Sequence, residues 1–279
     1  MEQQEMLERL LASLRLREAD DGVLRGPRVH EAPGHPVFGG ELLGQAIMAA
    51  ALRVPGKRVK SVQAIFARGA DAREPVDIRV EPMHDGRSFG SASVTFSQGD
   101  RLCTRALVLL DTADPDVVRH QPDAPAVEAP DPQAAEVNRA AAPEAIVVGG
   151  VDVRDPGAVG PATLQLWVRF AGAPNDDPNL ARALLAFATD GWLIGTAMRP
   201  HEGIGQSMAH KTLATGVLSH ALVFHQDLDA SEWHVIDHES VFAGGGRCYG
   251  RANVFTAQGA LVASFTQEAL LRAIPESRK

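Results

Sequence analysis

Basic charge, cysteine, tyrosine and long apolar runs are all scarce in this chain, and each scarcity removes a class of function. Lys and Arg number 27 against 35 Asp and Glu, for a net charge of −8. A nucleic-acid binder would show a basic stripe with interleaved aromatics, and only 5% of the residues are aromatic. Nucleic acid is therefore not expected as a partner, whereas an anionic small ligand remains open because a few local arginines suffice to hold one. No apolar run approaches the roughly 20 residues a membrane span needs. The N-terminus, Met1-Glu-Gln-Gln-Glu5, is acidic where a secretory signal or transit peptide would be basic, so a soluble, cytoplasmic protein is the expectation. Two cysteines, Cys103 and Cys248, fall in apparent strands of different halves and read as buried thiols rather than a disulfide. A Gly-x-Ser-x-Gly elbow is missing too. The nearest run, Gly205-Gln-Ser207-Met-Ala209, lacks the second glycine, which argues against a serine hydrolase of the α/β type.

What is present is one pattern twice. Asp85-Gly-Arg-Ser-Phe-Gly90 recurs as Gly245-Gly-Arg-Cys-Tyr-Gly250, and Gln98-Gly99 as Gln258-Gly259, at a spacing of 160 residues (247 − 87). In each copy a strand-like run, a Gln-Gly turn and a second run follow the arginine, as in a β-hairpin. A duplicated domain is the simplest explanation, and 279 residues suit two domains with separate cores and a connector. The division expected is 1–115, a Pro/Ala-rich connector at 116–144 containing Pro122, Pro125, Pro130, Pro132 and Pro143, and 145–279. Arg87 and Arg247 begin equivalent strands on this reading, which favours a structural pair over a phosphate site.

The coarse pattern repeats as well. Met6, Leu7, Leu10, Leu11 and Leu14 make a short amphipathic helix. Val23 to His30 reads as a strand, and Gly39 to about Leu52 as a helix with a face of small residues, stopped by Pro55-Gly56. Strands are expected at 59–67, 76–83, 88–97 and 102–110. In the second half Ile146 to Val153 and Leu164 to Phe170 read as strands, and Asn175-Asp-Asp177-Pro178 as a helix start. That helix is expected to run from Pro178 to Ala197, followed by strands at 217–225, 233–241, 247–256 and 261–271. One apolar helix followed by consecutive antiparallel strands predicts an α+β fold in which a sheet curls around a buried central helix, present twice.

Two polar residues stand where apolar ones belong. Asp190 shares a helix face with Ala183, Ala186, Phe187, Ile194 and Ala197, and a carboxylate on an apolar face costs several kcal/mol or shifts its pKa. The alternative is a helix that ends early and leaves Asp190 in solvent, for which Gly191 leaves room. Gln267 lies opposite Leu107 at the 160-residue spacing, polar in one copy and apolar in the other; it is either functional or a structural amide bonding backbone across the sheet. The ten histidines do not assemble a metal site: His234 and His238 lie about 13 Å apart in an extended strand, and His220 and His225 point to opposite faces.

The runs Val37-Phe-Gly-Gly40 with Gly44-Gln45, Asp85-Gly-Arg-Ser-Phe89, Leu166-Trp-Val-Arg169, Phe187-Ala-Thr-Asp190, Phe224-His225, Trp233 and Val262-Ala-Ser-Phe-Thr-Gln-Glu268 resemble the acyl-CoA thioesterase II family, in order, across about residues 5 to 272. The resemblance implies a double-hotdog fold, hydrolysis of acyl-CoA to fatty acid and CoA, no metal or organic cofactor, and assembly into homodimers or larger homo-oligomers. It also implies that Gln267 and Asp190 orient a water on the thioester carbonyl, with backbone N–H groups near a helix start receiving the oxyanion. Direct attack by Asp190 through an anhydride is the other route open to a carboxylate. The family's third polar position, threonine or serine, falls here on Val217. Thr215 and Ser219 share its face if the strand is regular; Ser219 is named as the catalytic hydroxyl, with Thr215 in its place or no hydroxyl at all as the open alternatives. A two-residue step moves a side chain by roughly 6.5 Å, so replacement demands a bulge or another substrate pose. Hydratases of related fold pair an aspartate with a histidine five residues on, and that position here is Gly195. The rival function is an acyl-CoA binding or sensing module that kept the pocket and lost turnover.

Overall fold

A computed structural model describes residues 2–19, 22–29, 36–128, 130 and 142–275. The first copy comprises α1 (Glu2–Leu14), β1 (Arg17–Glu18), β2 (Leu24–Arg25), α2 (Gly39–Arg53), β3 (Arg58–Phe66), β4 (Asp77–Asp85), β5 (Phe89–Gln98) and β6 (Arg101–Asp111). The second comprises β7 (Glu144–Val147), β8 (Thr163–Arg169), α3 (Pro178–Thr189), α4 (Leu193–Met198), β9 (Leu213–Phe224), β10 (His234–Gly244), β11 (Arg247–Thr256) and β12 (Leu261–Ala273). The twelve strands of the described residues join one antiparallel sheet in the order β1-β2-β4-β5-β6-β3-β9-β12-β11-β10-β8-β7. The apolar faces of α2 and α3 fill its concave side, where Leu43, Ile47, Leu184 and Phe265 belong to one core shared by both copies. The helices run antiparallel and nearly touch, because an added Cβ at Gly44 would meet the Ala183 carbonyl at 3.0 Å. Small residues on the α2 face permit that approach.

Three expectations are corrected. The strand placed at Val23–His30 forms only at Leu24–Arg25, and His30 lies outside the described residues, as do 131–141 of the connector with Pro132. The strand begun near Ile146 ends at Val147, where a 3₁₀ turn takes Gly149 to φ 75° and Gly150 to φ 65°, a geometry that glycine adopts at little cost. The helix expected to reach Ala197 breaks at Asp190-Gly191-Trp192, between α3 and α4. Asp190 caps α3 with φ −85° and ψ −6°. Its carboxylate is turned toward the start of α2.

The duplication itself is written in the irregularities of the sheet. Lys60 in β3, Met83 in β4 and Cys103 in β6 are skipped by the ladders as bulges, and so are Leu218 in β9, Val241 in β10 and Val262 in β12. The spacings are 158 (218 − 60), 158 (241 − 83) and 159 (262 − 103). The extra residue sits in the last hairpin: two residues separate Gln98 from its partner Arg101, whereas three separate Thr256 from Ala260. Gln63 and Ala221, themselves 158 apart, pair with each other where β3 meets β9, so a pseudo-two-fold axis passes between them. The true repeat is thus two residues shorter than the motif spacing of 160. Arg87 is equivalent to Gly245 rather than Arg247, and the expected symmetric arginine pair does not exist. Gln267 corresponds to Val108 (267 − 159), not to Leu107, which faces outward and is 49% exposed.

Candidate active site

The break after α3 leaves Asp190 at the meeting point of the two copies. Phe38, at the N-cap of α2, makes no side-chain cap, so the first N–H groups of that helix are open to a partner. The Asp190 carboxylate faces that open start, near enough to the Gly40 N–H for the N–H to lower its pKa. The fit requires glycine: a Cβ on Gly39 would lie 2.6 Å from Asp190 Oδ2, and one on Gly40 would lie 2.5 Å from the Phe187 carbonyl. Asp190 is 7% exposed and its Oδ1 has no hydrogen-bond partner. Burial pushes its pKa up to about 7, although the Gly40 N–H pulls the other way. The early-ending helix therefore leaves the carboxylate buried, not solvated. Phe38 stacks edge-on against Phe187 at 5.0 Å, and Phe66 flanks Gly39, so the surroundings of the carboxylate are aromatic.

Gln267 reaches the site from β12. It is 1% exposed, and it sits opposite His220 of β9; residues directly opposite in an antiparallel ladder share a face. His220 connects this pair to the helix break, since its Nε2 lies 3.2 Å from Oγ1 of Thr189, the neighbour of Asp190. Its ring stacks on Phe265 with centroids 5.1 Å apart, and His238 meets the same phenyl edge-on at 5.7 Å. Burial pushes His220 down to about 3 and His238 to about 4. Gln267 is close enough to offset part of that effect on His220, yet neither of its amide atoms closes a hydrogen bond of good geometry. A buried aspartate, amide and imidazole with unpartnered polar atoms thus converge on one region, which is how a polar ligand site differs from a finished core.

The bulge at Leu218 decides the fate of the third position. Because the ladder skips Leu218, Val217 pairs with Ala269 and Thr215 with Leu271, while Ser219 pairs with Glu268 on one side and Ile65 on the other. Ala269 is fully buried against Ala197 and Cys248, whereas Glu268 and Ile65 are exposed. Val217 and Thr215 accordingly face inward with Gln267, and Ser219 faces out. The expectation of Ser219 as a catalytic hydroxyl is corrected on this ground. It assumed a regular strand, and the bulge reverses the alternation.

Each polar residue of the site has a valine counterpart in the first copy. The α2 cap equivalent to Asp190 is Val54, the partner of His220 is Val62 (220 − 158), and that of Gln267 is Val108; all three are buried. Among the described residues no group of three or more His, Cys, Asp or Glu is placed to hold a metal ion. Nor, among the described residues, is any helix long and apolar enough to cross a membrane. Cys103 and Cys248 are buried free thiols.

Family models for the acyl-CoA thioesterase N-terminal domain and C-terminal domain match residues 27–110 and 119–271. The chain belongs to the acyl-CoA thioesterase family. It is 27% identical to acyl-CoA thioesterase 2 of Haemophilus influenzae over 96% of this chain and 98% of that protein. A tesB protein of Mycobacterium avium superposes with a TM-score of 0.79 at 27% identity, over 96% of this chain and 99% of that one. A hot dog fold protein from Alicyclobacillus acidocaldarius superposes at 0.73 with 17% identity, over 95% of this chain and 98% of that one, a likeness of fold alone. The fold is the double hotdog expected from the sequence, and the thioesterase family makes the chain a thioester hydrolase. Sequence reasoning missed His220 as a member of the site. Its signal was available, since His220 alternates with Leu222 and Phe224 on the buried face of β9.

Proposed function

We propose that this thioesterase hydrolyses fatty acyl-CoA to free fatty acid and CoA, with the catalytic side chains carried by the second copy and the division 1–115, 116–144 and 145–279 as its domain plan. The observation that supports this most directly is Asp190, a buried carboxylate poised near neutral pH at the open start of α2. Asp190 takes a proton from water as the water oxygen bonds to the thioester carbon. The Gly39 end of α2 offers its N–H and the positive end of the helix dipole to the developing oxyanion, the Gly40 N–H being turned to Asp190. Collapse breaks the C–S bond, and the proton held by Asp190 goes to the CoA thiolate. Gln267 holds the water, and these steps call on no metal ion and no organic cofactor. The protein acts in the cytoplasm as a homodimer or larger homo-oligomer.

Release of CoA thiol from short, medium and long acyl-CoAs, compared with Asp190→Ala, tests the reading. Turnover that vanishes in the variant supports it. Tight binding without turnover at any chain length would make the chain an acyl-CoA binding or sensing module, the reading that an inward Val217 favours. A general base must be ionised, so kcat/KM should climb with pH through an apparent pKa near 7. A profile flat from pH 5 to 9 would remove Asp190 from that role. Val217→Thr places a hydroxyl of nearly the same volume on the inner face and should raise kcat about 10-fold, on the scale of one added hydrogen bond to the reacting water; unchanged kcat would mean the water needs no third partner.

A further inference from the structure

Thr189 has one hydroxyl hydrogen and spends it inside its own helix, where Oγ1 donates to the Ala186 carbonyl at 2.8 Å. The same oxygen lies 3.2 Å from His220 Nε2. An oxygen whose hydrogen is committed accepts along its other contact, so the hydrogen between these two atoms belongs to the imidazole. On that assignment of the hydroxyl hydrogen, Nε2 is the protonated nitrogen. Burial keeps the ring neutral, and a neutral ring with Nε2–H has a bare Nδ1. His220 Nδ1 is buried without a hydrogen-bond partner, and Gln267 stands directly across the ladder. A bare lone pair repels a carbonyl oxygen and attracts an amide N–H. The Gln267 oxygen lies on the His220 side, where it offsets part of the burial effect on the ring; pairing with a bare Nδ1 requires the carboxamide flipped, an exchange of two atoms of nearly equal size, with Nε2 toward His220 and Oε1 away from it.

We propose that Thr189 and His220 are a positioning pair, holding the imidazole as the Nε2–H tautomer so that Gln267 presents its oxygen, not its nitrogen, to the reacting water. This rests on the hydrolytic reading above and adds the orientation of the water to it. A water has two hydrogens to place, and the Asp190 carboxylate and Gln267 Oε1 are two acceptors. With both hydrogens held, the oxygen lone pair is left for the thioester carbon. One hydrogen then passes to Asp190 as the C–O bond forms, and the other stays on the product acid.

Side-chain ¹⁵N NMR of histidine-labelled protein reads the tautomer directly, with His220→Gln identifying the resonances. The expected result is His220 as Nε2–H from pH 6 to 8. Thr189→Val removes the acceptor, so both tautomers should populate and kcat should fall by roughly 10- to 100-fold, as expected for a misplaced reacting group, with KM unchanged. Thr189→Ser should restore the tautomer and kcat together. An Nδ1–H ring in the parent protein, or tautomer mixing in Thr189→Val with kcat intact, would overturn the proposal. A parent without turnover but with the Nε2–H ring in place would sink the hydrolytic reading and leave the tautomer assignment upheld, so the two failures are distinguishable.

Discussion

Asp190→Asn should lose turnover by a factor of about 10² to 10⁴, the range for removing a general base, and should nevertheless melt at a higher temperature than the parent protein at pH 8. Both effects come from one cause. The pKa of Asp190 rises from 3.8 to about 7 because folding takes the carboxylate out of water. A raised folded-state pKa means the folded protein holds a proton that the unfolded chain has released, so its contribution to stability is complete below pH 3.8 and is lost as pH climbs through about 7. At pH 8 the ionised, desolvated group costs at most about 4 kcal/mol, from roughly 1.4 kcal/mol per pKa unit. Asparagine has the same shape and no charge to desolvate. Melting curves of the two proteins should nearly coincide at pH 4 and separate between pH 4 and 8. Equal melting temperatures at pH 8 would show that the carboxylate is not desolvated, and with that the account of its basicity would fail.

The second large effect is structural. Gly40→Ala should destabilise the protein by about 3 kcal/mol, the upper part of the range for overpacked cores, and should lower turnover as α2 and α3 are forced apart. The added Cβ would sit 2.5 Å from the Phe187 carbonyl, 2.6 Å from Phe38 Cε1 and 3.0 Å from the Phe187 Cα. Two of these are backbone atoms in the facing helix and have no rotamer into which to retreat. Gly191→Ala is the matched control. Nothing lies within 4 Å of its Cβ position, and it should unfold at the same denaturant concentration as the parent. If Gly40→Ala did so too, the close crossing of the helices would be wrong.

The contrast between these two glycines marks where sequence ceases to speak. Apolar periodicity located α2 and the strands β3 to β6 and β9 to β12 within a few residues, because each is a local pattern with a buried face. Asp190 and Gln267 were visible as polar residues on apolar faces for the same reason. The meeting of Gly40 with Phe187 was not visible, since nothing local to either residue announces contact across so much chain. The bulge at Leu218 was equally silent: a leucine fits the alternation whether or not the ladder skips it, and Ser219 was therefore assigned the wrong face. The repeat was seen at the wrong spacing because similar hairpin residues, Gly-Arg and Gln-Gly, stand two residues out of step with the equivalent backbone. Three pairs of bulges give the right one.

The valines at Val54, Val62 and Val108 carry a consequence for counting. A pseudo-two-fold chain has two geometrically equivalent places where the end of one central helix meets the start of the other. Among the described residues only one of them holds the carboxylate, imidazole and amide together; at the other the three equivalent positions are valines. The second copy brings those groups, but the helix start that faces its carboxylate comes from the first, so neither half owns the site. Stoichiometry follows from that sharing. Titration with a non-hydrolysable acyl thioester should saturate at one equivalent per chain, and either half expressed alone should bind none.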